Sequence, residues 1–92
     1  MNEEEARLVL RAHLGQCRRR SYAELSSKLG NQGCDHVLGP SGAKYQIEVD
    51  IVWDSVPGRD LRVIASIDDG RGWRSISPLT KSFLMSPDGS TR

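Results

Sequence analysis

Residues 45–53 read Tyr-Gln-Ile-Glu-Val-Asp-Ile-Val-Trp. Tyr45, Ile47, Val49, Ile51 and Trp53 are large and apolar, and they alternate with Gln46, Glu48, Asp50 and Asp54. A period of two is that of a strand with one buried face and one wet face. The pattern returns eight residues on, where Leu61, Val63, Ala65 and Ile67 alternate with Arg62, Ser66 and Asp68. Ser55-Val56-Pro57-Gly58-Arg59 lies between the two runs and holds a Pro-Gly turn. If Trp53 opposes Leu61, then Ile51 opposes Val63 and Val49 opposes Ala65. Both apolar rows then share one face, which sets the register.

Upstream, Val37-Leu38-Gly39-Pro40-Ser41-Gly42-Ala43-Lys44-Tyr45 looks like the front of a phosphate-binding loop. Such a loop requires Gly-x-x-x-x-Gly-Lys-Ser/Thr leading into a helix, whose free amides hold the anion. Here Ala43, not glycine, stands immediately before Lys44, Tyr45 stands where the hydroxyl belongs, and a strand follows. The expected structure is a hairpin loop joining a short strand around His36–Leu38 to the long strand from Ala43.

The first thirty residues have a helical period. Ala6, Val9, Leu10, His13, Leu14 and Cys17 form one face. Asn2 and Glu5 have the spacing of a capping box, and Glu3, Glu4 and Glu5 suit the positive end of the helix dipole. Gly15 weakens the helix, which is expected to end there or fray to Arg18. Ser21-Tyr22-Ala23-Glu24 is a second capping box, opening a helix over Tyr22–Leu29 that Gly30 stops. Downstream, Asp69-Gly70-Arg71-Gly72 is a turn into a short strand near Trp73–Ser77, ended by Pro78. Phe83-Leu84-Met85 forms a last edge strand or a packed tail. Pro87-Asp88-Gly89 is a turn, after which the end is expected to fray.

The sum is an α+β chain: one or two N-terminal helices packed on an antiparallel meander sheet of three to four strands. Residues 1–92 make a single domain, with its helical part about 3–29 and its sheet part about 35–86. The formal net charge of +1 offers no global field to steer nucleic acid or an anionic membrane. The N-terminus is acidic where a signal peptide is basic, and no apolar run approaches the ~18 residues of a membrane span. Two cysteines make no disulfide framework. The expected compartment is the cytoplasm, with reduced thiols and no membrane association.

Four constellations bear on chemistry. Glu48, Asp50 and Asp54 offer carboxylates on one strand, suited to a divalent ion or to acid–base work. The plainer expectation is a solvated sheet face on which Arg62 pairs with Asp50. His13, Cys17, Cys34 and His36 match a Cys2His2 zinc set in ligand type but not in spacing. Packing and loop roles explain them better, so no metal or other cofactor is expected. Arg18-Arg19-Arg20 followed by the Tyr22 helix resembles the first helix of a helix-turn-helix. The recognition helix is missing, because Asn31-Gln32-Gly33 follows with no helical period. Asp68-Asp69-Gly70 lacks the alternating acids of a calcium loop, and no Gly-x-Ser-x-Gly is present.

The second half resembles a family of small uncharacterised bacterial proteins. The likeness is carried by Tyr45-Gln46-Ile47-Glu48-Val49, Trp53-Asp54, Leu61-Arg62-Val63 and Ile67-Asp68-Asp69-Gly70. It continues through Gly72-Trp73-Arg74, Pro78-Leu79-Thr80, Ser82-Phe83-Leu84 and Pro87-Asp88-Gly89, so it spans residues 43–89. The resemblance implies no activity and assigns no functional residue. It implies that the C-terminal tail belongs to the domain.

The functional expectation is a small non-enzymatic domain that binds another protein or itself, with Trp73, Trp53 and Phe83 as aromatic anchors. The alternative is a nucleic-acid-binding regulator acting through Arg19, its neighbours and the second helix. A third, weaker alternative is a metal-dependent enzyme built on the sheet carboxylates.

Overall fold

The computed structural model describes residues 2–69 and 79–92. Two helices, α1 (Glu3–Arg18) and α2 (Tyr22–Ser26), precede four strands: β1 (Gly33–Leu38), β2 (Lys44–Trp53), β3 (Leu61–Asp68) and β4 (Leu79–Met85). The strands form one antiparallel meander in the order β1-β2-β3-β4. The α+β arrangement expected from the two periodicities is the one observed. The short strand expected near Trp73–Ser77 lies outside the described residues.

The β2–β3 register is the one the alternation requires: Trp53 opposes Leu61, Ile51 opposes Val63 and Val49 opposes Ala65. Tyr45, Ile47, Ile51, Leu61, Val63, Ala65 and Ile67 are buried on one face, joined by Phe83 and Met85 of β4. Ala6, Val9, Leu10, Leu14 and Cys17 of α1 and Leu25 of α2 close the other side of this core. α1 lies mainly over β3 and β4.

Both helices start at the expected N-caps, although the Glu5 and Glu24 carboxylates turn to other partners instead of closing the capping boxes. The Asn2 side chain accepts from the Glu5 amide, and the Ser21 hydroxyl accepts from the Glu24 amide. α1 runs through Gly15 to Arg18. Burial of Leu14 and Cys17 on either side of the glycine outweighs a cost of about 0.5–1 kcal/mol. α2 is shorter than the expected Tyr22–Leu29. Its last residues wind into tighter turns, in which the Lys28 amide donates to Leu25 and the Leu29 amide to Ser26.

Two strand boundaries also differ from expectation. β1 begins at Gly33 rather than near His36, because β2 is long enough to pair with Gly33 through Val49. The chain end does not fray. The Arg92 amide donates to the Leu84 carbonyl and the Leu84 amide donates back to Arg92. The Arg92 guanidinium also pairs with Asp60. The C-terminus thus covers part of the outer edge of β4.

Candidate functional site

The Gly39–Gly42 loop is a structural clamp. It closes the β1–β2 hairpin, with the Gly39 amide donating to Ala43 and the Gly42 amide to Gly39. Gly42 sits at φ +87°, where a side chain is strained. The Glu5 carboxylate of α1 receives the Ser41 amide at 2.9 Å, the Ser41 hydroxyl at 2.8 Å and the Tyr45 hydroxyl at 2.6 Å. These donors, the Tyr45 hydroxyl first, hold the Glu5 carboxyl below its ordinary range. The same contact pushes the Tyr45 phenol up to about 12. The polar groups that suggested a nucleotide loop are therefore committed to fastening the hairpin onto α1.

The carboxylates of the open sheet face are arranged differently from expectation. Arg62 pairs with Asp54, not Asp50: its Nε and Nη2 donate to Asp54 Oδ1 at 3.0 and 2.7 Å. Arg62 stands opposite Val52, which lies two residues from each acid along β2 and its end. Asp54 is held at the mouth of the β2–β3 turn by its backbone amide, which donates a hydrogen bond to the Asp60 carbonyl, and its carboxylate is thereby presented to Arg62. Among the described residues, no three His, Cys, Asp or Glu side chains converge as a metal-ion site.

The sheet divides the His and Cys residues. His13 and Cys17 lie on α1, over the core face, where His13 Nε2 meets Asp35 Oδ2 at 3.4 Å. Asp35 and Cys34 are successive strand residues, so Cys34 and His36 point to the opposite face. Cys34 receives the Gln46 amide at 3.1 Å from its Sγ on that face. One strand cannot direct Asp35 to α1 and Cys34 there as well.

The interaction candidates separate just as clearly. Phe83 is 2% exposed in the core, with the Arg18 guanidinium 5.1 Å from its ring centroid, so it is no surface anchor. Trp53 is half-buried and packs against the core, and Trp73 lies outside the described residues. Of the basic run, Arg18 covers Phe83 and Arg20 faces Glu24 at 3.6 Å, leaving Arg19 exposed.

Sequence reasoning missed two concave features. The first is a groove along the outer side of β1, between that strand and α1. It is lined by Leu8, Val9, Ala12, Val37, Leu38 and Pro40. Leu38 is 65% exposed and Leu8 56%, which is high for large apolar side chains. Among the described residues, β1 pairs with β2 on one side only. The alternation of β2 implied a neighbouring strand, but which strand would end at an edge was not legible. The second feature is a cleft of about 430 Å³ where the C-terminal end of α1, α2 and the start of β1 meet. Val49 and Ile51 form its floor, with Cys17 and Leu25 beside them, and Arg20 and Lys28 stand at its rim. Burial pushes the Cys17 thiol up, so this sulfur is neutral and presents apolar surface.

No helix among the described residues is long and apolar enough to cross a membrane. No protein-family model matches the chain, and no curated protein or solved structure matches it.

Proposed function

We propose that this chain is a non-enzymatic binding domain that associates with another protein, or with a second copy of itself, by strand addition at β1. The observation that carries this proposal is the unequal treatment of the two sheet edges. The β4 edge is partly covered by the returning C-terminus. The β1 edge stands open beside an apolar groove with Leu8 and Leu38 at its margins. A strand laid along β1 satisfies main-chain donors and acceptors and sends alternate side chains into that groove. A net charge of +1 neither steers nor repels a partner, so shape and burial dominate the association.

The test is light scattering and pull-down at low and high salt, with folding of each variant checked by circular dichroism. Leu38→Lys and Leu8→Lys are expected to weaken the association at both salt concentrations, while Arg19→Ala leaves it intact. The opposite result, with binding lost at high salt and in Arg19→Ala, moves the function to the basic linker and to nucleic acid. If Trp73→Ala alone abolishes association, the aromatic anchor lies outside the β1 groove and the strand-addition proposal fails. We also place the chain in the cytoplasm, where Cys17 and Cys34 persist as free thiols, and among the small bacterial proteins that its second half resembles.

A further inference from the structure

The cleft between α1, α2 and β1 has an apolar floor and a cationic rim. Val49, Ile51 and Leu25 supply the floor, and Arg20 and Lys28 stand above it. The one carboxylate in the lining, Asp35, is exposed and lies 3.4 Å from His13 Nε2. Among the described residues, Arg20 pairs with Glu24 alone, through an exposed i,i+4 contact of a kind worth little in water and readily exchanged. Among the described residues, the side chains of Gln16, Lys28, Asn31 and Gln32 make no hydrogen bond or ion pair. Several uncommitted donors therefore face one concavity whose deeper surface is apolar. Its volume of about 430 Å³ falls within the ~300–1,000 Å³ of small-molecule sites.

We propose that this cleft is a binding site for a small amphipathic organic acid. The apolar body lies on Val49, Ile51 and Leu25, and the carboxylate is received by Arg20 and Lys28. Arg20 offers a planar fork that matches a carboxylate, and Lys28 adds a point charge. A neutral Cys17 sulfur beside the floor adds polarizable surface without opposing the anion. The cleft adjoins the β1 groove, with which it shares His13 and Gln16, but the groove has no lysine or arginine in its lining and is probed by different residues, Leu8 and Leu38. Small-ligand binding here and strand addition there stand or fall independently.

Octanoate, octan-1-ol and inorganic phosphate serve as probes in a nitrogen-15 NMR titration of the full chain. Octanoate is expected to shift the amides of Gly33, Val49 and Ile51 saturably. Octan-1-ol should bind about tenfold more weakly, since it lacks the charge that Arg20 and Lys28 receive. Phosphate should leave the floor amides unmoved. The Arg20→Gln/Lys28→Gln double variant should lose that advantage of octanoate over octan-1-ol, while Arg19→Gln keeps it. Val49→Trp, which fills the floor, should block both chain-bearing probes. Equal affinity for octanoate and octan-1-ol in the wild type overturns the proposal. So do octanoate shifts confined to the open sheet face, or no saturable shift at all. Each variant's amide spectrum reports its folding in the same experiment.

Discussion

At the scale of the residue, Glu5 does most to join the two halves of the chain. It caps no helix and lines no catalytic site. Its carboxylate gathers three donors from the β1–β2 hairpin. A carboxyl held below its ordinary range contributes stability that is present above the unfolded-state value and lost as pH falls through the folded one. Tyr45 has the opposite sign. Its phenol is raised from 10.0 to about 12, so its contribution is present below pH 10 and lost as pH climbs toward 12. Melting temperatures followed across pH should therefore show a wild-type advantage over Glu5→Gln that shrinks in acid. The advantage over Tyr45→Phe should shrink from pH 10 to 12. Parallel curves for wild type and Glu5→Gln would remove Glu5 from this role. Gly39 belongs to the same contact. A Cβ there would stand 2.7 Å from Glu5 Oε1 and 2.8 Å from the buried Tyr45 ring. Gly39→Ala is expected to destabilise by about 1–3 kcal/mol, as overpacking does. In chemical denaturation its cost should fall when Glu5→Ala is already present, because the two residues share one contact.

At the scale of the element, the alternation from Tyr45 to Trp53 carries most of the fold. Ile51 is 3% exposed and opposes Val63, whereas Asp50, its neighbour in sequence, opposes Ile64 on the other face. A carboxylate at position 51 has no partner and costs several kcal/mol, comparable to the ~5–15 kcal/mol that holds a domain together. Ile51→Asp should therefore abolish the cooperative thermal transition, and Asp50→Ala should leave it nearly in place. Similar melting temperatures for the two would mean that the register is wrong. The helices obey the same logic with a different period. Their starts are local events, set by Asn2 and Ser21, and both were legible. Their ends were less so. α1 crosses Gly15 because tertiary burial of Leu14 and Cys17 overrides a local preference, and α2 tightens early although Leu29 keeps the helical period.

At the scale of the whole molecule, the helices cover one sheet face and, among the described residues, leave the other open; this division sorts the side chains that sequence alone had grouped. Cys17 is buried with its thiol pushed up, while Cys34 is exposed on the far face. A thiol reagent should label Cys34 rapidly in the folded protein and Cys17 much more slowly, because its thiol is largely buried and pushed up. Equal labelling rates would contradict the burial of the α1 face against the sheet. The same division separates the four residues that resembled a zinc set, and it takes Phe83 out of contention as a surface anchor.

What the sequence by itself determined is everything that follows from neighbours along the chain. The class of each described segment follows from its period, the helix starts from their caps, and the β2–β3 register from the demand that two apolar rows share a face. That a strand rather than a helix follows the Gly39 loop was legible for the same reason. Tertiary structure alone decided which groups far apart in sequence meet. Glu5 meets Ser41 and Tyr45, His13 meets Asp35, and Arg92 returns to Leu84 and Asp60. It also left β1 as an open edge and opened the cleft beside α2. Periodicity reports which face of an element is buried. It carries no information about which element covers that face or where the covering stops, because packing in three dimensions sets both.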